Sequence, residues 1–382
     1  MTHTFSTRAV HAGRDDLTEL GVHAPPIDLS STYPAIDSGA EAQRMELFAA
    51  GELPPGSPIY SRLHQPTVAR FETALAELEC AESAVAFASG MAALTACLLA
   101  VTAAGRGHVV AVRPLYGGSD NLLATGLLGT EVSWCEPDAV AAALREDTGL
   151  VIVETPANPT LSELDLARLA ADCGDVPLLV DNTVATPVLQ QPIRQGAAIV
   201  LHSATKFLGG HGDVLGGVVA CDEGFARRLR QIRIATGGVL HPLAGYLLHR
   251  GLATLPVRVR QQSAGAQHLA ERLAAHPKVT VVHYPGLRDD RPAQMSSGGA
   301  LVSFEVDGDA TKVVAAVGLI TPAVSLGSVD TLIQHPASLT HHIVSADDRQ
   351  AGGINDRLLR LSVGLEDPQD LWADLDQALN LA

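Results

Sequence analysis

Hydrophobic positions along the chain fall into short, nearly unbroken runs separated by longer stretches of helical periodicity. The runs at residues 84–88, 109–112, 150–153, 178–180 and 199–201 are short and do not alternate apolar with polar. They read as strands buried on both faces, and their alternation with helices predicts an α/β architecture, a parallel sheet with helices on either side. A long helical stretch over 244–275, stopped by His276-Pro277, leads to a second unit. That unit shows strands near 280–284, 301–306 and 359–363 and a closing helix over 370–379. The first sixty residues, with Pro25-Pro26 and Pro54-Pro55-Gly56-Ser57-Pro58, read as an extended arm of the kind that reaches across a subunit interface. Three segments result: an arm over 1–62, a large domain over 63–248 and a smaller α/β domain over 249–382. Residues 83–105 carry no charge and could span a bilayer, but they are rich in alanine and broken at Ser89-Gly90, which predicts strand, turn and buried helix.

Composition narrows the class. With 47% hydrophobic and 18% charged residues, the 382-residue chain has a core large enough for two domains and is neither disordered nor fibrous. Its 42 acidic against 26 basic residues give −16, which repels polyanions and argues against binding to nucleic acid or anionic membranes. Cys80, Cys97, Cys135, Cys173 and Cys221 are odd in number and contain no C-x-x-C pair, so neither a zinc site nor a disulfide framework is expected. The start of the chain has no apolar segment behind basic residues, and a cytoplasmic location is expected.

The chemistry starts from lysine, of which the chain holds only three: Lys206, Lys278 and Lys312. Lys206 follows the uncharged run 197–205, where desolvation would depress an amine pKa and make it nucleophilic; a lysine snorkelling from a strand end is the alternative. Asp181 closes the run before it, at a strand's carboxyl end, where open α/β sheets place their ligands. Such a carboxylate either pairs with a cation such as a pyridinium nitrogen or serves as a turn or cap residue. Ser89-Gly90-Met91 joins a strand to a helix and offers backbone N–H groups to an anion, with the hydroxyls of Ser203 and Thr205 near Lys206 as further donors or as caps. Tyr116, in Leu115-Tyr-Gly-Gly-Ser119, is placed either to stack on a planar group or to pack. Arg360 on a strand suits a carboxylate or a surface ion pair. No G-x-G-x-x-G, Walker A, H-E-x-x-H or G-x-S-x-G string occurs, which counts against an NAD-dependent dehydrogenase. His335, His341 and His342 have no Cys or carboxylate at ligand spacing, and no metal site is expected.

Taken together, Tyr60-Ser-Arg62-Leu-His-Gln-Pro-Thr67, Ser89-Gly-Met-Ala-Ala93, Glu154-Thr-Pro-Ala-Asn-Pro159, Asp181-Asn-Thr-Val-Ala-Thr-Pro187 and His202-Ser-Ala-Thr-Lys-Phe-Leu-Gly-Gly-His211 resemble the Cys/Met-metabolism family of pyridoxal-phosphate enzymes. The resemblance continues through Ser325-Leu-Gly327, Gln334-His-Pro-Ala-Ser-Leu-Thr-His341 and Arg360-Leu-Ser-Val-Gly-Leu-Glu366. It implies the PLP-dependent transferase fold type I, with a mostly parallel seven-stranded sheet, and a homotetramer of two catalytic dimers. Lys206 would be the Schiff-base lysine, Asp181 the pyridinium partner and Tyr116 the ring-stacking acid/base. Ser89, Gly90, Met91, Thr183, Ser203 and Thr205 would hold the cofactor within one subunit, while Tyr60 and Arg62 would reach the phosphate of the neighbouring subunit. Asn158 would contact the ring hydroxyl, and Arg360 would clamp the substrate carboxylate, with Tyr60, Asn158, Val324, Ser325 and Thr340 completing the substrate site. The implied reaction is γ-elimination from a sulfur amino acid. Val324 stands where cystathionine-cleaving relatives tend to carry glutamate, which suits a thioether methyl. Gly118, in turn, stands where methionine-cleaving relatives usually have cysteine. Cleavage of methionine is the first reading, cystathionine cleavage or γ-replacement the next, and a cofactor-free scaffold the reading from another class.

Overall fold

The runs of apolar residues become strands of one twisted sheet. In the computed structural model, which describes residues 3–381 except positions 343, 346, 348, 350 and 351, these are β1 (Ser83–Phe87), β2 (His108–Val112), β3 (Glu131–Cys135), β4 (Thr148–Glu154), β5 (Leu178–Asp181), β6 (Ile199–His202) and β7 (Gly217–Cys221). Their order is β1-β7-β6-β5-β4-β2-β3, and only β7 runs against its neighbours. β2, β4, β6 and β7 are buried along their whole length, which explains why their sequences show no polar alternation. The hydrophobic pattern missed two strands. β3 is a partly exposed edge strand that mixes Glu131 and Ser133 with apolar residues, and β7 follows a glycine-rich stretch that reads as loop.

Two helices lie in the first sixty residues, α1 (Phe5–His11) and α2 (Ser38–Ala49). Then follow α3 (Pro66–Glu79), α4 (Gly90–Ala103), α5 (Gly117–Ala124), α6 (Val140–Ala143), α7 (Leu166–Cys173), α8 (Thr186–Leu189) and α9 (Glu223–Thr236). α4 and α9 cover one face of the sheet through Leu94, Leu98 and Leu229, while α3 and the long helix α10 (Pro242–Ala274) cover the other through Phe71, Leu75, Leu252 and Leu255. Because Phe5, Ala9 and Ala12 pack into that second core, the start of the expected extended arm is docked on the large domain. Beyond it, Leu20, Ile27, Leu29 and Ile36 are exposed.

α10 ties the two domains together. Leu248, Leu252 and Val259 sit in the core of the large sheet, whereas Ala266, Leu269 and Leu273 pack against Val302, Phe304 and Leu361 of a second sheet. The boundary expected at 248/249 therefore falls inside one continuous helix. The second sheet contains β8 (Val279–His283), β9 (Leu301–Val306), β10 (Thr321–Pro322), β11 (Leu332–Gln334) and β12 (Leu358–Ser362) in the order β10-β11-β12-β9-β8. α11 (Ala310–Ala316) and α12 (Pro368–Asn380) contribute Val313, Leu371, Leu375 and Leu379 to its core.

Candidate active site

A cavity of ≈ 280 Å³ opens where the parallel strands end and the second domain begins. Its walls are Glu154 and Asp181 from the ends of β4 and β5, the segments after β1, β2 and β6, and Val324, Ser325, Leu326, Thr340 and Arg360 from the smaller domain. This is the crevice position that open α/β sheets favour, because strand ends and helix N-termini converge there.

Lys206 lies in the turn after β6, and its Nζ donates to Ser325 Oγ at 2.7 Å. Burial, reinforced by the positive charge of Arg360, lowers its pKa to about 8. Ser325 is held at φ +97°, a conformation costly for a residue with a side chain, and its carbonyl accepts from Arg360 Nη2 at 2.5 Å. Asp181 Oδ1 accepts from both the N–H (3.0 Å) and the hydroxyl (2.5 Å) of Thr183, which leaves Oδ2 for another partner. Thr183 Oγ1 also accepts from Ser203 N–H at 2.8 Å, so one hydroxyl joins the floor of the cavity to the segment leading to Lys206. Burial raises the pKa of Asp181, an effect that a cation at Oδ2 would reverse.

Ser89 caps α4 through its hydroxyl, which accepts from Ala92 N–H at 3.1 Å, and the N-terminus of that helix faces the cavity. Gly90 lets the helix start lie close to Ser203, since a Cβ there would stand 3.0 Å from Ser203 Cβ and press on the serine. Helix amides and the Ser203 hydroxyl thus make an anion site. The Thr205 hydroxyl is occupied by both ends of the Gly216 peptide, at 3.1 and 3.2 Å.

Tyr116 and Asn158 stand on neighbouring loops tied to one side chain that the sequence reading assigned no role. Glu154 Oε2 accepts from Tyr116 N–H at 2.6 Å and Oε1 accepts from Asn158 N–H at 2.8 Å. Burial, and next the charge of Asp181, pushes the Glu154 carboxyl up to about 8. A signal for it was present: Glu154 ends an apolar run just as Asp181 does. Ser119, Val184, Leu201, Leu215 and Leu326 also line the cavity without having been anticipated. A Cβ on Gly118 would meet Tyr116 Cε1 at 2.6 Å, so a larger residue there would displace the tyrosine ring.

Arg360 is 2% exposed and all its partners are neutral. Asn158 Oδ1 accepts from Nη1 at 2.6 Å, and the Gln334 amide, turned with its oxygen toward the guanidinium, accepts from Nη1 and Nη2 at 3.0 and 3.1 Å. Nε is buried with no partner among the described residues. A buried cation in this state calls for an anion. Asn158, expected at a ring hydroxyl, presents its side-chain oxygen to Arg360. The cavity therefore offers an amine of lowered pKa, a carboxylate with one open oxygen and a helix-terminal anion site, the donor set that pyridoxal phosphate requires.

Every anticipated site residue lines this cavity except Tyr60 and Arg62. These two lie outside it, where Arg62 Nη1 donates to Ile234 O at 2.8 Å and its guanidinium stands 5.5 Å from the Tyr60 ring. His335 is held by Ser338 and the Asp356 carbonyl, and no cluster of metal-binding side chains occurs among the described residues.

Comparison with known proteins agrees with this geometry. A profile of the Cys/Met metabolism PLP-dependent enzymes matches residues 6–380. An L-methionine γ-lyase of Streptomyces avermitilis is 68% identical over 376 residues, covering 98% of this chain and 89% of that protein. Among solved structures, a cystathionine γ-lyase of Micromonospora echinospora superposes with a TM-score of 0.89 at 39% identity, covering 99% of this chain and 100% of the other. A cystathionine γ-synthase of Xanthomonas oryzae pv. oryzae superposes at 0.90 with 35% identity, covering 100% and 98%.

Proposed function

We propose, from the premise that the chain belongs to the Cys/Met metabolism family of PLP-dependent enzymes, that it cleaves L-methionine to methanethiol, ammonia and 2-oxobutyrate. It is a pyridoxal-phosphate-dependent carbon–sulfur lyase acting on a small amino acid, built on the type I fold of PLP-dependent transferases. One observation carries the choice of substrate. Val324 presents an apolar, half-exposed side chain at the cavity wall, and the only carboxylates that the described residues bring to the cavity, Glu154 and Asp181, stand at the strand ends. No anion is offered to a second ammonium group, whereas a thioether methyl finds an apolar surface.

In this reading Lys206 carries the cofactor, which supplies an electron sink for charge left at the substrate Cα. Asp181 Oδ2 keeps the ring nitrogen protonated, and the α4 terminus with Ser203 binds the phosphate, joined by Thr205 when its hydroxyl turns from the Gly216 carbonyl. Arg360 takes the substrate carboxylate, giving its buried Nε an acceptor. Lys206, once free, removes the Cα proton and moves a proton at Cβ, since an amine of pKa about 8 is poised for both transfers. Tyr116 donates a proton to the departing sulfur. Tyr60 and Arg62 complete the site of a neighbouring subunit in a homotetramer of two catalytic dimers; their position outside their own cavity supports this. Five free cysteines suit a reducing cytoplasm, and no helix among the described residues is long and apolar enough to cross a membrane.

The test is 2-oxobutyrate release from L-methionine and L-cystathionine side by side, with pyridoxal phosphate present and no acceptor thiol. Faster release from methionine is expected. Faster release from cystathionine would mean that another residue recognises its distal end. Silence with both would favour γ-replacement, the activity of the Xanthomonas relative.

A further inference from the structure

Among the charged groups lining the cavity, Glu154 alone has no task in the reaction above. It is 4% exposed, it closes β4 directly beside Asp181 in the sheet register, and its oxygens are spent on two backbone amides, one in the segment that follows β4 and one in the loop after β2. A buried carboxylate beside a second carboxylate is expensive to maintain. An apolar residue would fill the space but leave the Tyr116 and Asn158 amides without an acceptor, so a purely space-filling role accounts poorly for it.

We infer that Glu154 is a positioning residue that sets the acid/base tyrosine and the carboxylate clamp in one geometry. Two connections carry this, and the inference rests on the roles proposed above for Tyr116 and Arg360. Oε2 holds the N–H of Tyr116 itself, at the point where the chain turns into α5. Oε1 holds the N–H of Asn158, whose side-chain oxygen accepts from Arg360 Nη1. Tyr116 O in turn accepts from Asp120 N–H at 2.9 Å in α5, so the glutamate holds the N–H side of the tyrosine and the helix its carbonyl side. Gly117 and Gly118 follow, and the loop closes against Thr340 so tightly that a Cβ on Gly117 would meet the Thr340 carbonyl at 2.4 Å. A shift of Tyr116 and a shift of Arg360 are therefore coupled through one side chain. Both groups must meet the same substrate molecule, one at its sulfur and the other at its carboxylate.

Glu154→Gln is the direct test, because the amide keeps the shape of the side chain but can accept at one oxygen only. One of the two N–H groups must then face an NH₂ donor. In the holoenzyme we expect visible cofactor absorbance to persist and kcat for L-methionine to fall on the order of 100-fold, the usual effect of misplacing a reacting group by about 1 Å. The Kd for propionate, a monocarboxylate probe read from the cofactor's absorbance without turnover, should weaken about 10-fold. Thr148→Val, which removes a buried polar contact at the other end of β4, should lower the unfolding midpoint and leave both quantities unchanged. If Glu154→Gln loses stability as Thr148→Val does while kcat and the propionate Kd stay within about twofold of wild type, Glu154 is merely structural and the inference fails. Should the glutamine variant not fold, Glu154→Asp keeps the charge but shortens the reach. Unchanged kcat and propionate binding in that variant would overturn the inference equally. Failure of the wild type to cleave methionine would sink the substrate assignment alone, since propionate binding does not depend on it.

Discussion

Lys206 is the residue where environment changes chemistry most. In the folded chain its pKa is lowered from 10.5 to about 8, chiefly by burial, so the folded state binds the lysine proton less tightly than the unfolded state. The resulting loss of stability is fully present below pH 8 and is relieved as pH rises toward 10.5. It amounts to at most about 3 kcal/mol. Cofactor-free Lys206→Met is therefore expected to resist urea better than the cofactor-free wild type at pH 7, with the advantage shrinking by pH 10, and to release no 2-oxobutyrate. A variant less stable than wild type at pH 7 would show that the amine is not strained by its site. Lys206 and Asp181 could be picked out from the chain because each interrupts or ends an apolar run. Glu154 does the same, but its two amide partners lie on loops whose meeting no local pattern announces.

At the scale of elements, the segment bearing Lys206 depends on α10. Arg258, 4% exposed on that helix, donates to Phe207 O and Gly251 O, each at 2.9 Å, and to Thr254 Oγ1 at 3.1 Å. Gly210 must be glycine beside it, since a Cβ would overlap the guanidinium, and Gly251 lets the helix backbone approach the Leu208 carbonyl. Arg258→Met leaves the buried Phe207 carbonyl without its side-chain donor, while Gly251 O keeps the Thr254 hydroxyl at 3.3 Å, and should cost about 1–3 kcal/mol by urea unfolding. A loss under about 0.5 kcal/mol would mean that the turn after Lys206 is held by other contacts. α10 itself was evident from its periodicity and the helix after Ser89 from its uncharged, alanine-rich stretch, whereas the strands β3 and β7 escaped because one is a half-exposed edge and the other hides behind glycines.

For the whole molecule, the decisive expectation concerns the first sixty residues. α1 is docked on its own domain, yet Ile36 and Leu29 are exposed and Tyr60 and Arg62 stand away from the cavity of their own chain. If these two side chains complete a neighbour's site, Arg62→Ala and Lys206→Ala oligomers should each be impaired. Hybrids reassembled from the two should regain activity, because one site then combines an intact Lys206 with an intact Arg62. Activity of the mixture equal to the sum of the separate variants, with subunit exchange verified by mass, would place Arg62 in its own subunit's chemistry or in none.

Local physics wrote most of the strands, the long helix and the candidates Lys206 and Asp181 into the chain: uninterrupted apolar runs can only be buried, and a charge that ends such a run must find a partner. Tertiary structure decided what those charges face. Arg360 is a strand residue in sequence, but only the packing of the second sheet against the strand ends surrounds it with neutral groups and leaves its Nε waiting for an anion. The link from Tyr116 through Glu154 and Asn158 to Arg360 likewise joins β4 to segments from both domains. Contacts between residues more than two hundred positions apart depend on the fold as a whole, and for that reason no window of sequence reveals them.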